Sequence, residues 1–154
     1  MGDQEGELDE AELAALMRQA FLDVPLHGVL GLEVVDVGRP GTATMAIPLA
    51  PNALGATGHL HGGVIAVLCD LACAAAASTA STYDATTTAL VTADLHVRYL
   101  GPARGDTVRA EANVVKAGRT LVVVQAEVKD STDRVLAIAD FSAMLVPHRA
   151  PSER

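Results

Sequence analysis

The chain has 154 residues, half of them hydrophobic, and a formal net charge of −8 at pH 7, which fits one domain with a sizeable core. That acidic balance argues against a nucleic-acid binder, which shows a basic stripe, but it leaves room for an anionic ligand held by a few local cations. With two Phe, two Tyr and no Trp, the core has to be built from Val, Leu, Ala and Ile.

The N-terminus, MGDQEGELDEAE, is acidic and polar rather than basic and then apolar, so the sequence predicts no signal peptide and a cytoplasmic protein. Residues 1–7 show no apolar pattern. Over residues 8–22, Leu8, Leu13, Leu16, Met17, Ala20 and Phe21 recur at helical spacing, with acidic residues in the first turns. This predicts a short amphipathic helix. Pro25, Gly28 and Gly31 then read as breaks, separating a tail and helix (1–25) from the domain proper (26–147) and a polar tail (148–154). Two short strands are expected near 31–38 and 41–48, joined at Arg39-Pro40-Gly41 as a hairpin.

The turn-rich loop Pro51 to His59 leads into the dominant stretch, Leu60 to Ser81, which opens with His61-Gly62-Gly63. Between Val64 and Ala77 its only charged side chain is Asp70. The density of Ala and Leu without Pro predicts a helix. It is too short for the roughly 20 apolar residues of a membrane span and carries a charge at its middle, so no membrane partner is expected. Being apolar on all sides, it is predicted to be buried on all sides, where a lone carboxylate is costly unless paired, hydrogen-bonded or protonated. Cys69 and Cys73 lie in the same run without His or Cys partners at metal-site spacing. They read as small core residues, and no metal is expected.

After a polar connection from Tyr83 to Thr88, residues 89–100 alternate. Val91, Ala93, Leu95, Val97 and Tyr99 are predicted to face one way, and Thr92, Asp94, His96 and Arg98 the other. Strand 107–117 places Val108, Ala110, Ala112 and Val114 inward, and strand 120–129 does the same with Val122, Val124, Ala126 and Val128. Strand 134–146 is expected to bury Val135, Ala137, Ala139, Phe141, Ala143 and Leu145. Turns fall at Gly101-Pro102, Gly105-Asp106, Gly118 and Ser131 to Asp133. The outcome is an α+β protein in which a six-stranded antiparallel sheet wraps one long helix. One helix cannot cover both faces of such a sheet, which predicts an oligomer.

His-Gly-Gly opening the helix, with Asp70 seven positions after Gly63, resembles the hotdog-fold acyl-CoA thioesterases and, within them, the phenylacetate-pathway (PaaI-like) group. Asn52, Gly55, the run Val91 to Asp94 before Tyr99, Pro102-Ala103 and Gly105-Asp106 carry the likeness further. It covers about residues 26–146. The resemblance implies hydrolysis of an acyl-CoA to free acid and CoA, with no cofactor. It implies Asp70 as nucleophile or general base, the Gly62 N–H polarising the thioester carbonyl, Asn52 assisting, and Thr92 positioning water, although its alternation puts Thr92 on the polar face of its strand. His61 reads first as a helix-start hydrogen-bonding residue and second as a catalytic one. The resemblance places Gly63, Gly55 and Val64 beside the substrate, and Arg98 and Arg119 are candidates for the CoA phosphates, with Arg104 and Lys116 as further cations.

The chemistry suits these residue types. A helix N-terminus offers free N–H groups and partial positive charge to a developing oxyanion. Glycines there leave no side chain between backbone and substrate, and a buried carboxylate serves as base or attacker. Gly62 and Asp70 are eight residues apart, about 12 Å along a helix, too far to serve one carbonyl. Two helices antiparallel across a two-fold axis would bring Gly62 of one chain to Asp70 of the other. A homodimer is therefore expected, and the resemblance implies pairing into a homotetramer. The rival readings are a hotdog enoyl-thioester hydratase or dehydratase and a non-catalytic acyl-CoA binder.

Overall fold

The computed structural model describes residues 12, 15, 19, 21, 23–80 and 83–148. Most of the expected helix 8–22 lies outside these, although Glu12, Ala15, Gln19 and Phe21 are helical. Pro25 opens a helix instead of breaking one: α1 spans Pro25–Leu30 with proline in its first turn, a position where the missing N–H costs nothing. Gly31, at φ 65°, closes it in the left-handed conformation.

The hairpin follows as β1 (Glu33–Asp36) and β2 (Thr42–Pro48), then a 3-10 turn at Pro51–Ala53. The central helix α2 spans Gly62–Ser78, and β3 (Thr88–Tyr99), β4 (Thr107–Ala117), β5 (Leu121–Asp130) and β6 (Val135–Pro147) complete the chain. The helix is shorter than the apolar stretch. Leu60 instead bridges Leu54, and at the far end Ser78 and Thr79 hydroxyls donate back to the Ala75 and Ala76 carbonyls. The six strands form one antiparallel sheet in the order β1-β2-β4-β5-β6-β3. It curls around α2, which packs on β2, β3, β4, β5 and β6. This is the hotdog arrangement.

The inward faces of β4 and β5 fall where the alternation places them: Val108, Ala110, Ala112, Val122, Val124, Ala126 and Val128 are buried. Alanines on both the sheet and the helix (Ala72, Ala75, Ala76 and Ala77 are also buried) let the backbones approach closely. Fully burying Leu68, Ile47 or Phe141 adds about 1.5–3 kcal/mol each.

Three expectations are corrected. On β3 the register shifts between Thr92, paired with Ala143, and Asp94, paired with Ser142. Ala93 is thus the extra residue of a β-bulge. The bulge reverses the alternation upstream, so Val91 is 48 % exposed and Thr92 joins Leu95 and Val97 on the helix side. At the start of β6 a second shift pairs Lys129 with Val135 and Val128 with Ala137. It leaves Val135 partly exposed and buries Leu136 fully. Third, α2 is not buried all round: Ala66, Val67, Asp70, Leu71 and Ala74 form a half-buried stripe that the chain's own sheet covers only in part.

Candidate active site

The start of α2 is built by a compact loop. Gly55 N–H donates to the His59 carbonyl at 2.8 Å and His61 N–H to the Ala53 carbonyl at 2.9 Å, which sets His61 at the N-cap. Its imidazole Nδ1 accepts from the Gly63 N–H at 2.8 Å, satisfying one of the free donors of the first turn. Two glycines make room for the ring. A Cβ on Gly55 would lie 3.3 Å from His61 Cδ2, and one on Gly63 would lie 3.0 Å from Nδ1. Val64, half-buried, packs behind them against the core.

The Gly62 N–H donates to no described residue, so the first helical donor stays available where the helix dipole is positive. Tyr99, at the end of β3, stands over this point. Its hydroxyl donates to the Gly62 carbonyl at 3.0 Å, and its ring lies 3.5 Å from where a Gly62 Cβ would be. Asn52 is tied elsewhere: its side-chain amide donates to the Val29 carbonyl of α1 at 3.0 Å.

Asp70 lies two turns along the helix, on the half-buried stripe. Thr92 Oγ1 donates to Asp70 Oδ1 at 2.9 Å, a contact made possible by the Ala93 bulge. Beside the carboxylate is an open pocket of about 350 Å³, lined by Ala66, Val67 and Leu71 of α2, Leu95 of β3, and Leu26 and His27 of α1. Gly62 is not part of that lining. The residues singled out from sequence therefore form two groups, His61, Gly62, Gly63 and Gly55 at the helix start and Asp70 with Thr92 along it. Tyr99 and His27 are additions. Tyr99 carried a sequence signal as the aromatic end of an alternating strand; His27, between Pro25 and Gly28, carried none.

Cys69 and Cys73 are buried. Burial, then the Asp70 charge, pushes the Cys69 thiol up to about 12, and burial raises that of Cys73 as well. Both stay protonated and non-nucleophilic at neutral pH. Among the described residues no group of three His, Cys, Asp or Glu side chains could hold a metal. Arg109 and Lys129 are engaged with Glu111, at 2.8 and 2.5 Å. Arg98, exposed on β3, and Arg119, in the β4–β5 turn, make no ion pair among the described residues, which leaves both cations accessible to an anion.

The model of the Thioesterase superfamily matches residues 57–137, from the loop before α2 into β6. The chain belongs to the thioesterase superfamily. Thioesterases and their relatives surround it in sequence and structure. It is 34 % identical over 128 residues to a Halobacterium salinarum protein provisionally named an esterase, covering 81 % of this chain and 83 % of that one. It is 25 % identical over 114 residues to a 1,4-dihydroxy-2-naphthoyl-CoA hydrolase of Listeria monocytogenes, covering 74 % and 89 %. The structure of the phenylacetic acid degradation protein PaaI from Thermus thermophilus superposes with a TM-score of 0.68 at 25 % identity, over 79 % of this chain and 98 % of that one. The thioesterase resemblance read from His61-Gly62-Gly63 and Asp70 holds, as does its PaaI-like character: the chain is a thioester hydrolase of the hotdog fold. No helix among the described residues is long and apolar enough to cross a membrane.

Proposed function

We propose that this thioesterase hydrolyses an acyl-CoA to the free acid and CoA at two equivalent sites, each shared between two subunits. Asp70 of one subunit activates water or attacks the thioester, held in position by Thr92. The Gly62 N–H of the other polarises the carbonyl, and Tyr99 steadies the backbone that carries it. The observation that carries the reading is the division of the site into two groups. Asp70 borders a pocket that Gly62 does not reach, and the two lie about 12 Å apart along the helix. The half-buried stripe of α2 gives a second copy a surface to cover. The free edge of β3, twelve residues long, gives it backbone groups to pair with. Dimers then pair into a tetramer. CoA rather than another carrier accords with the relative named as a naphthoyl-CoA hydrolase, and Arg98 and Arg119 are the cations offered to its phosphates.

The hydratase reading needs a histidine paired with an acid. His61 Nδ1 is instead engaged by the Gly63 N–H, which favours the hydrolase.

The test is thiol release from short, medium and aryl acyl-CoAs by wild type and Asp70→Asn side by side. Loss of turnover by about 10²–10⁴-fold with fold and assembly intact supports the proposal. No release by wild type, with CoA thioesters still raising the melting temperature, moves the reading to a binder.

A further inference from the structure

An α-helix leaves its first four N–H groups without partners inside the helix. In α2 these belong to His61, Gly62, Gly63 and Val64. Three are engaged, all through His61. Its own N–H donates to the Ala53 carbonyl and its carbonyl accepts from the Val64 N–H, both at 2.9 Å, while its ring Nδ1 accepts from the Gly63 N–H at 2.8 Å. Of the four, the Gly62 N–H is left without a partner among the described residues. His61 thus determines which donor of the helix start stays available. Of its three contacts, only that of the ring depends on a proton. A backbone N–H only donates, so Nδ1 holds a lone pair and the neutral ring carries its proton on Nε2. A protonated ring has an N–H at both nitrogens and nothing to offer Gly63, and its charge meets the positive end of the helix. His61 is exposed, so solvent protons reach it. Few other ionisable groups are near. The loop packed on its ring at Gly55 holds His59, whose Nδ1 lies 3.1 Å from the Thr57 carbonyl oxygen. β3 brings Tyr99, engaged with the Gly62 carbonyl, and α2 has no acidic residue in its first turn.

We propose that His61 is a positioning residue that works through its protonation state. The neutral ring holds the Gly63 N–H and leaves that of Gly62 as the one donor for the thioester oxygen; the protonated ring releases Gly63 and leaves the first turn uncapped. This role rests on the reading of Gly62 as the group that polarises the carbonyl, and adds to it a control by pH. A donor aimed at developing charge acts in the transition state, so its displacement lowers turnover more than it weakens binding. Turnover therefore falls on acidification through His61, a loss separate from protonation of Asp70.

The experiment takes pH profiles of kcat and KM on hexanoyl-CoA for wild type, His61→Asn, His61→Ala and His59→Asn, each scaled to its own plateau. In parallel, NMR of isotope-labelled histidine and glycine nitrogens follows the His61 ring and the Gly62 and Gly63 amides through the same pH range. Asn at an N-cap accepts from the same N–H groups and does not titrate. Wild type should lose kcat by about tenfold per pH unit along an acid limb, with KM little changed. His61→Asn should move that limb down by about one pH unit or more, since histidine and carboxylate limbs ordinarily lie about two units apart. His61→Ala, uncapped at every pH, should have a plateau kcat lowered by roughly 10-fold to 100-fold, which His61→Asn largely restores. His59→Asn should leave the limb in place. In wild type at neutral pH, Nδ1 should appear as the unprotonated nitrogen, and the Gly63 amide should titrate with the ring. An acid limb unmoved in a folded His61→Asn overturns the inference, and so does a protonated Nδ1 in the neutral ring. If no acyl-CoA is hydrolysed while the Gly62 and Gly63 amides still follow the His61 proton, the hydrolytic reading fails and the proton-dependent cap stands.

Discussion

Thr92 Oγ1 donates a 2.9 Å hydrogen bond to Asp70 Oδ1, tying the edge strand β3 to the open stripe of α2. Thr92 thereby occupies one carboxylate oxygen of a residue that lines the pocket and leaves the other without a partner among the described residues. A hydroxyl that orients a base acts on turnover more than on binding. Thr92→Val is expected to lower kcat by roughly 10-fold to 100-fold with KM nearly unchanged, and Thr92→Ser should restore most of it. Steady-state kinetics of the three proteins on one acyl-CoA check this. A Val variant with wild-type kcat would show that Asp70 needs no such support.

That contact also marks the limit of legibility in the sequence. Period-two alternation located β3 to within a residue, yet assigned Thr92 to the polar face, because a one-residue bulge at Ala93 leaves no compositional trace. Val135 and Leu136 exchanged places for the same reason: the register shift at the start of β6 is set by tertiary pairing and not by local pattern. β4 and β5, whose inward positions hold without interruption up to Val114, were fully readable. The helix-start group was legible because its residue types are chemically restrictive, Gly55 and Gly63 leaving space for the His61 ring. Pro25 was misread because a proline signals a helix start as well as a stop. His27 could not be found at all, since what distinguishes it is the pocket and the Phe21 carbonyl.

The adjacent glycines at the helix start should respond differently to substitution. At Gly62 a Cβ meets the Tyr99 ring at an ordinary 3.5 Å. The position is the first of the helix, and His61 is extended at φ −68°, ψ 130°, as a residue before proline must be. Gly62→Pro therefore removes the proposed catalytic N–H while preserving the helix. Stability should stay within about 1 kcal/mol of wild type, and kcat should fall by roughly 10²–10³-fold. Gly63→Ala instead places a methyl 3.0 Å from His61 Nδ1 and displaces the cap, costing about 1 kcal/mol, or about 2–4 °C in Tm for a chain of this size. Thermal melts and thiol-release assays on both variants separate the two effects.

Away from the site, Asp130 sets the acid limit of stability. Its side chain is fully buried and accepts from the Thr132 hydroxyl at 2.7 Å and the backbone N–H groups of Arg104, Thr132 and Arg134 at 3.0, 3.0 and 3.2 Å. It thus joins the β3–β4 connection to the β5–β6 turn. These bonds, the Thr132 hydroxyl foremost, hold its pKa down at about 2 against an ordinary 3.8. The folded value is the lower one, so the contribution is complete above about pH 4 and is lost as pH falls toward 2. Chemical denaturation across that range should show a drop in stability that is shallower in Asp130→Asn. That variant should also be less stable than wild type at pH 7, and Thr132→Ala should move the acid limb to higher pH. An unchanged acid limb in both variants would assign it to other carboxylates.

The shared site makes a quantitative prediction by complementation. Gly62→Pro chains lack the N–H but keep Asp70; Asp70→Asn chains lack the carboxylate but keep the N–H. Each homodimer is inactive. In a mixed dimer one site combines the Gly62 N–H of the Asp70→Asn chain with Asp70 of the Gly62→Pro chain and is intact, and the other lacks both groups. Random pairing of equal amounts makes half the dimers mixed, each with one working site of two, so about one quarter of wild-type activity should return. The proteins would be unfolded together in denaturant and refolded, with co-refolded wild type as the reference. Mixing without unfolding should restore less, at a rate set by subunit exchange. If each chain held a complete site, no mixture of the two variants would exceed the sum of their residual activities, and the two-subunit arrangement would be wrong even with Asp70 and Gly62 both essential.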